Sequence, residues 1–109
     1  MRLSVFLTED DRLGRRSVAD EIVDRARFAG LAGVTVWRAV EGFGRGGHLR
    51  ALRHPDLARG APLLVELIDA EDVLATFFPT IRDLAPGALV TTEPVEIVHP
   101  RLATRAAGE

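Results

Sequence analysis

The stretch Gly42-Phe43-Gly44-Arg45-Gly46-Gly47-His48 constrains this chain more than any other. Four glycines in seven residues directly follow the apolar, strand-like run Val34–Val40. Glycine supplies positive φ and lets a backbone approach a ligand closely, at an entropic cost that a plain connector need not bear. With Arg45 and His48 inside it, the segment combines backbone N–H groups with a cationic side chain, the ingredients of an anion-binding concavity. The plainer use of such a stretch is a flexible hairpin tip, so its meaning depends on the elements around it.

Those elements can be read from periodicity and caps. Arg2 to Thr8 alternates as a strand does, with Leu3, Val5 and Leu7 on one face and Ser4, Phe6 and Thr8 on the other. Glu9 to Arg16 is charged, contains Gly14 and reads as a loop. Ser17, with Asp20 three residues on, has the pattern of a helix N-cap. The helix it starts spans Val18 to Ala29, with Val18, Ile22, Val23, Ala26 and Ala29 apolar and Gly30 as its C-terminal stop. A second strand covers Val34 to Val40. Glu41 to Pro62 is rich in glycine, arginine and histidine, and a connection of roughly twenty residues is usually functional or disordered. Leu63 to Ile68 is a third strand, and Asp69 is placed to cap a helix over Ala70–Leu84. That helix carries Val73, Leu74, Phe77, Phe78, Ile81 and Leu84 on its inner stripe, and Pro79 predicts a kink. Pro86-Gly87 turns the chain into a fourth strand over Ala88–Val98, interrupted near Glu93-Pro94. Residues 1–98 form one domain, and 99–109 read as a flexible tail.

The order is β-α-β-β-α-β. Right-handed crossovers put both helices on one face of a four-stranded antiparallel sheet, an α+β ferredoxin-like sandwich. The other face is left bare, carrying Phe6, Trp37 or its neighbours, Leu64 and Ile68. A contiguous apolar patch of that kind marks a partner surface, so oligomerisation through the open sheet face is expected. Trp37 is assigned to that core or interface in preference to a stacking role.

Composition narrows the function classes. A net charge of −2 and a pI of about 5.9 argue against a general nucleic-acid binder, despite the local cluster Arg45, Arg50, Arg53 and Arg59. With no cysteine, disulfides and thiolate metal sites are excluded, which suits a reducing compartment. The start lacks a long apolar h-region and no apolar run reaches membrane-spanning length, so a cytoplasmic protein not embedded in a membrane is expected. No nucleophile, base and orienting group can be assembled from Ser4, Ser17, three histidines and scattered acids, so the chain is not expected to be an enzyme. Glu9, Asp10 and Asp11 read as a solvated turn, and Glu71 and Asp72 suit the first turn of a helix.

The segments Gly30-Leu31-Ala32-Gly33-Val34-Thr35-Val36 and Val40-Glu41-Gly42-Phe43-Gly44-Arg45-Gly46-Gly47-His48 carry a family likeness. They resemble the second strand and T-loop base of PII signal-transduction proteins, which read approximately G-[IL]-x-G-x-T-V and G-F-G-R-Q-x-G-H. Residues 1–98 as a whole resemble the uncharacterised PII-like family of domain of unknown function 190, in the acidic loop, the order of motifs and the proline inside the second helix. The resemblance implies a homotrimer with its sheets packed inward and ligand sites in the clefts between subunits, where PII proteins hold ATP or ADP. An adenine nucleotide is the implied ligand. Carried over by position, Thr35 would face its base or ribose, while Gly42, Phe43 and Gly44 with Arg45 would line the cleft. Gly87 would stand in the turn near the phosphates. Arg101, and with it Arg105, would take the part of the C-terminal PII arginines.

The chain also departs from PII. Gly46 stands where PII proteins carry a magnesium-coordinating glutamine. The PII phosphate loop with its lysine is replaced by Leu84-Ala85-Pro86-Gly87 in a chain without lysine, so arginine and backbone N–H groups would have to hold any phosphate. The chain has no tyrosine, so PII-type uridylylation is excluded. The expectation is a trimeric sensor in which a small ligand orders the 41–62 loop, which then docks on a transporter or enzyme. The alternative is a metal-binding trimer resembling copper-tolerance proteins, using His48 and His54.

Overall fold

The computed structural model describes residues 1–42, 50–51 and 60–100. Strand β1 (Arg2–Thr8) leads into a short ribbon of β2 (Arg12–Leu13) and β3 (Arg16–Ser17), then helix α1 (Val18–Phe28) and strand β4 (Gly33–Arg38). A small pair, β5 (Glu41–Gly42) and β6 (Arg50–Ala51), precedes β7 (Pro62–Ile68), helix α2 (Glu71–Leu84) and β8 (Leu89–Glu93). The main sheet has the order β4-β7-β1-β8, with every neighbouring pair antiparallel. Two helices on this sheet make the expected ferredoxin-like sandwich.

The core lies between the sheet and the helices. Leu3, Val5 and Leu7 of β1 and Val65 and Leu67 of β7 face Ile22 and Ala26 of α1 and Leu74, Phe77 and Ile81 of α2, all buried. The caps follow from local chemistry. Ser17 Oγ accepts from the Asp20 N–H at 3.0 Å, satisfying one of the orphan donors at the start of α1. At the other end Gly30 takes φ 76°, its N–H donates to the Arg27 carbonyl, and the Leu31 N–H donates to that of Ala26. This is the Schellman arrangement, and it needs a residue that accepts a left-handed backbone.

Several expectations are corrected. Glu9–Arg16 is not a plain loop, because β2 and β3 pair across it (Arg12 with Ser17, Leu13 with Arg16). The acidic trio is not merely solvated: the Asp11 carboxylate accepts from the Thr8 N–H at 2.7 Å, and Glu9 pairs with Arg38. The second strand ends at Arg38, and Glu41–Gly42 pairs separately with Arg50–Ala51. Asp69 does not cap α2, whose N-cap is Ala70 without a side-chain bond. The fully buried Asp69 carboxylate instead accepts from the backbone N–H groups of Ala32 at 2.9 Å and Ala70 at 2.6 Å, tying the α1–β4 turn to the start of α2. The last strand stops at Glu93, before Pro94, which has no N–H to offer a ladder. Pro79 lies inside α2 as expected, on its exposed side.

Candidate functional site

The pairing registers sort the sheet into two faces. Opposite the helices, Trp37 of β4 stands beside Leu64 of β7, Leu64 beside Phe6 of β1, and Phe6 beside Leu89 of β8. One unbroken apolar row therefore crosses all four strands. Among the described residues no helix covers it: Phe6 is 41%, Trp37 56% and Leu89 47% exposed. The next row on the same face is polar and runs Thr35, Glu66, Ser4, Thr91. Glu66 sits at its middle and is held from two sides. Trp37 donates its Nε1–H to Glu66 Oε2, and Arg2 Nε lies 3.6 Å from Glu66 Oε1. Arg2 also pairs with Glu93 in the following row. The bare face expected around Phe6, Trp37, Leu64 and Ile68 is present, but a charged network borders its apolar row.

The strand directions bring the candidate segments at Gly42 and Gly87 to one end of the sheet. There β1 and β4 finish while β7 and β8 begin. At the β4 edge the Ala39 N–H donates to the Pro62 carbonyl at 2.8 Å, and the Glu41–Gly42 pairing with Arg50–Ala51 follows at once. The same root is braced from β1. The Glu9 N–H donates to the Ala61 carbonyl at 3.0 Å, and Arg38 Nε lies 2.6 Å from Glu9 Oε1. At the β8 edge, Pro86 and Gly87 form a turn closed by the Ala88 N–H on the Ala85 carbonyl at 3.1 Å. Among the described residues a Cβ placed on Gly87 would meet nothing within 4 Å, so their packing does not require glycine there.

Of the residues singled out in the sequence, Gly42 and Gly87 thus share one end but flank opposite edges. Three strand spacings separate those edges, roughly 14 Å. Thr35 is exposed on the open face of β4, opposite Glu66. Phe43, Gly44, Arg45, Gly46 and Arg101 lie outside the described residues, as do His48, His54 and Arg105. Among the described residues no three His, Asp or Glu side chains converge as a metal site, and no helix is long and apolar enough to cross a membrane.

Sequence reading missed Glu66, Arg2 and the Glu9–Arg38 pair. Glu66 interrupts an apolar strand, a visible signal. Its partners, however, come from Trp37 of a strand 29 residues away and from Arg2 at the chain's start.

Comparison with known proteins adds three findings. Residues 1–97 match the family of domain of unknown function 190, described as an uncharacterised ACR. A UPF0166 protein of Aquifex aeolicus (strain VF5) is 32% identical over 97 residues, covering 89% of this chain and 91% of that protein. Among solved structures, CPII of Thiomonas intermedia K12, a nitrogen regulatory PII-like protein bound to ADP, AMP and bicarbonate, aligns with a TM-score of 0.67. That alignment covers 91% of this chain and 88% of CPII at 14% identity, a likeness of fold.

Proposed function

The chain belongs to the family of domain of unknown function 190, and from that premise we propose that it is a PII-like regulatory protein. Three copies pack through their open sheet faces. A small ligand, an adenine nucleotide by preference, occupies the cleft between neighbouring copies. Its occupancy sets what the 41–62 segment presents to a partner protein, a transporter or an enzyme. The scheme contains no catalytic step, and a cysteine-free chain suits work in the cytoplasm.

One observation carries this reading: the uncovered apolar row Trp37–Leu64–Phe6–Leu89 spans the sheet from edge to edge. Burying such a row against another copy returns roughly 25 cal/mol for each Å² of apolar surface removed from water. If sheets pack face to face around a threefold axis, the β4 edge of one copy comes beside the β8 edge of the next. The Gly42 root of one protomer then meets the Gly87 turn of its neighbour, which resolves their separation within a single chain. The ligands of CPII favour an adenine nucleotide as the first compound to test. A ligand must discriminate between loop states to act as a signal, so its affinity has to differ between them.

Sedimentation of the full chain, with and without ADP and AMP, tests the proposal. The expected outcome is a trimer that Leu64→Asp dissociates into folded monomers, with ADP binding only to the trimer. A wild-type chain that is monomeric at all accessible concentrations would overturn it.

A further inference from the structure

We propose that the β2–β3 hairpin is an oxyanion-gripping finger, in which Arg12 and Arg15 hold the phosphate groups of a ligand at the loop-root end of the sheet. The inference deepens the proposed nucleotide cleft and rests on it for the ligand's location, though not for the chemistry of the finger.

The hairpin is a built structure. Asp11 organises its base, its carboxylate accepting from the Thr8 N–H at 2.7 Å and from Thr8 Oγ1 at 3.3 Å, while its carbonyl accepts from the Val18 N–H at 2.8 Å. The tip is a two-residue turn with Gly14 at φ 62° and Arg15 at negative φ, the signs of a type II′ turn, which matches the twist of paired strands. Arg16 pins the hairpin to α1: its guanidinium lies 3.0 Å from Glu21 Oε2 and is hydrogen-bonded to Asp24, a bond that raises the Arg16 pKa above the usual arginine value.

Arg12 and Arg15 are treated differently. Arg2, Arg16, Arg25, Arg27, Arg38 and Arg82 each have a carboxylate within 4.0 Å. Arg12 and Arg15, both exposed, have none among the described residues. Arg12 Nη1 donates to the Arg15 carbonyl at 3.1 Å, which draws the Arg12 head to the tip. One guanidinium group is thus fixed at a hairpin tip that also carries the exposed Arg15, in a molecule whose net charge is negative.

Location and chemistry point to the same ligand class. The hairpin leaves β1 at the end where Glu9 bonds Ala61 and Arg38, beside the loop root. Arg38, also at that end, is already engaged by Glu9. In a chain without lysine, the permanently cationic side chain available to a phosphate is arginine, whose planar fork offers paired N–H donors to two oxygens at once.

The test measures binding of ADP and of inorganic pyrophosphate to the full chain by calorimetry, for wild type, R12A/R15A and R25A/R27A. The last variant removes the same charge from α1, and thermal melts confirm that each variant is folded. The expected result is a loss of about tenfold or more in affinity for both ligands in R12A/R15A only, since charge-assisted hydrogen bonds to the phosphate oxygens are removed. That loss should shrink between about 50 and 200 mM salt, as screening weakens the wild-type contact. If ADP binds wild type and R12A/R15A equally, the finger is wrong and the cleft survives. If pyrophosphate binding depends on Arg12 and Arg15 while ADP does not bind, the finger stands and the nucleotide cleft falls. Wild-type protein that binds neither ligand overturns both.

Discussion

The two faces of the one sheet use adjacent residues of the same strands for opposite purposes. On the helix-covered face, Leu3, Val5, Leu7, Val65 and Leu67 are buried by the chain's own helices. On the other face, Phe6 and Leu64 lie in an apolar row that none of the described residues covers, bordered by Arg2, Glu66 and Glu93. The covered face holds the protomer together and is indifferent to neighbours. The uncovered face combines an apolar stripe with a charged network; in the proposed assembly the first supplies affinity without direction and the second restricts how a second surface lies against it. A sheet meant only for water would alternate apolar and polar residues cleanly.

The largest effect expected from this contrast is the difference between Leu67→Ala and Leu64→Ala. Leu67 is fully buried, so its truncation leaves a cavity and costs about 2–5 kcal/mol at any protein concentration. Leu64→Ala should leave the dilute protomer within about 1 kcal/mol of wild type and lower the melting temperature only where the wild type is assembled. Denaturation at two protein concentrations distinguishes them; equal, concentration-independent losses would erase the distinction between the faces.

The carboxylates give a second and smaller contrast. Asp69→Ala leaves the Ala32 and Ala70 N–H groups without their acceptor and should cost about 2–3 kcal/mol in the protomer itself. Glu66→Gln keeps the shape but removes the charge that faces Arg2, on a group that water still reaches. Its protomer stability should move by less than about 1 kcal/mol, while sedimentation should show an altered assembly. An Asp69 variant as stable as wild type would show that this carboxylate does not fasten α2 to the α1–β4 turn.

The smallest expected effect is at Gly87. With open space around the site of its missing Cβ, Gly87→Ala should change protomer melting by no more than about 0.5 kcal/mol. Any loss should appear in ADP binding alone. A large loss of protomer stability would return Gly87 to a purely structural role.

Much of the fold was legible because it is written in short-range chemistry. The alternation of β1, the Ser17 cap and the Gly30 stop each depend on residues within a turn of one another, and all three are where the sequence puts them. Asp69 was misread for the complementary reason. A carboxylate before a helix looks like a cap, and only the approach of Ala32, 37 residues earlier, recruits it elsewhere. The β2–β3 ribbon escaped notice because strands of two residues carry no period to detect. For the proposed site, the sequence singled out Gly42 and Gly87, but not their positions at opposite edges of the sheet.

By itself the sequence determined the four strands of the main sheet, the two helices, their order and the apolar residues of the core, because propensity, capping and periodicity act over a few residues. Only the tertiary structure decided which side chains share a row. A one-residue change of register would exchange the faces of a whole strand, and pairing over long separations is what lines up Trp37, Leu64, Phe6 and Leu89 and brings Arg2 to Glu66.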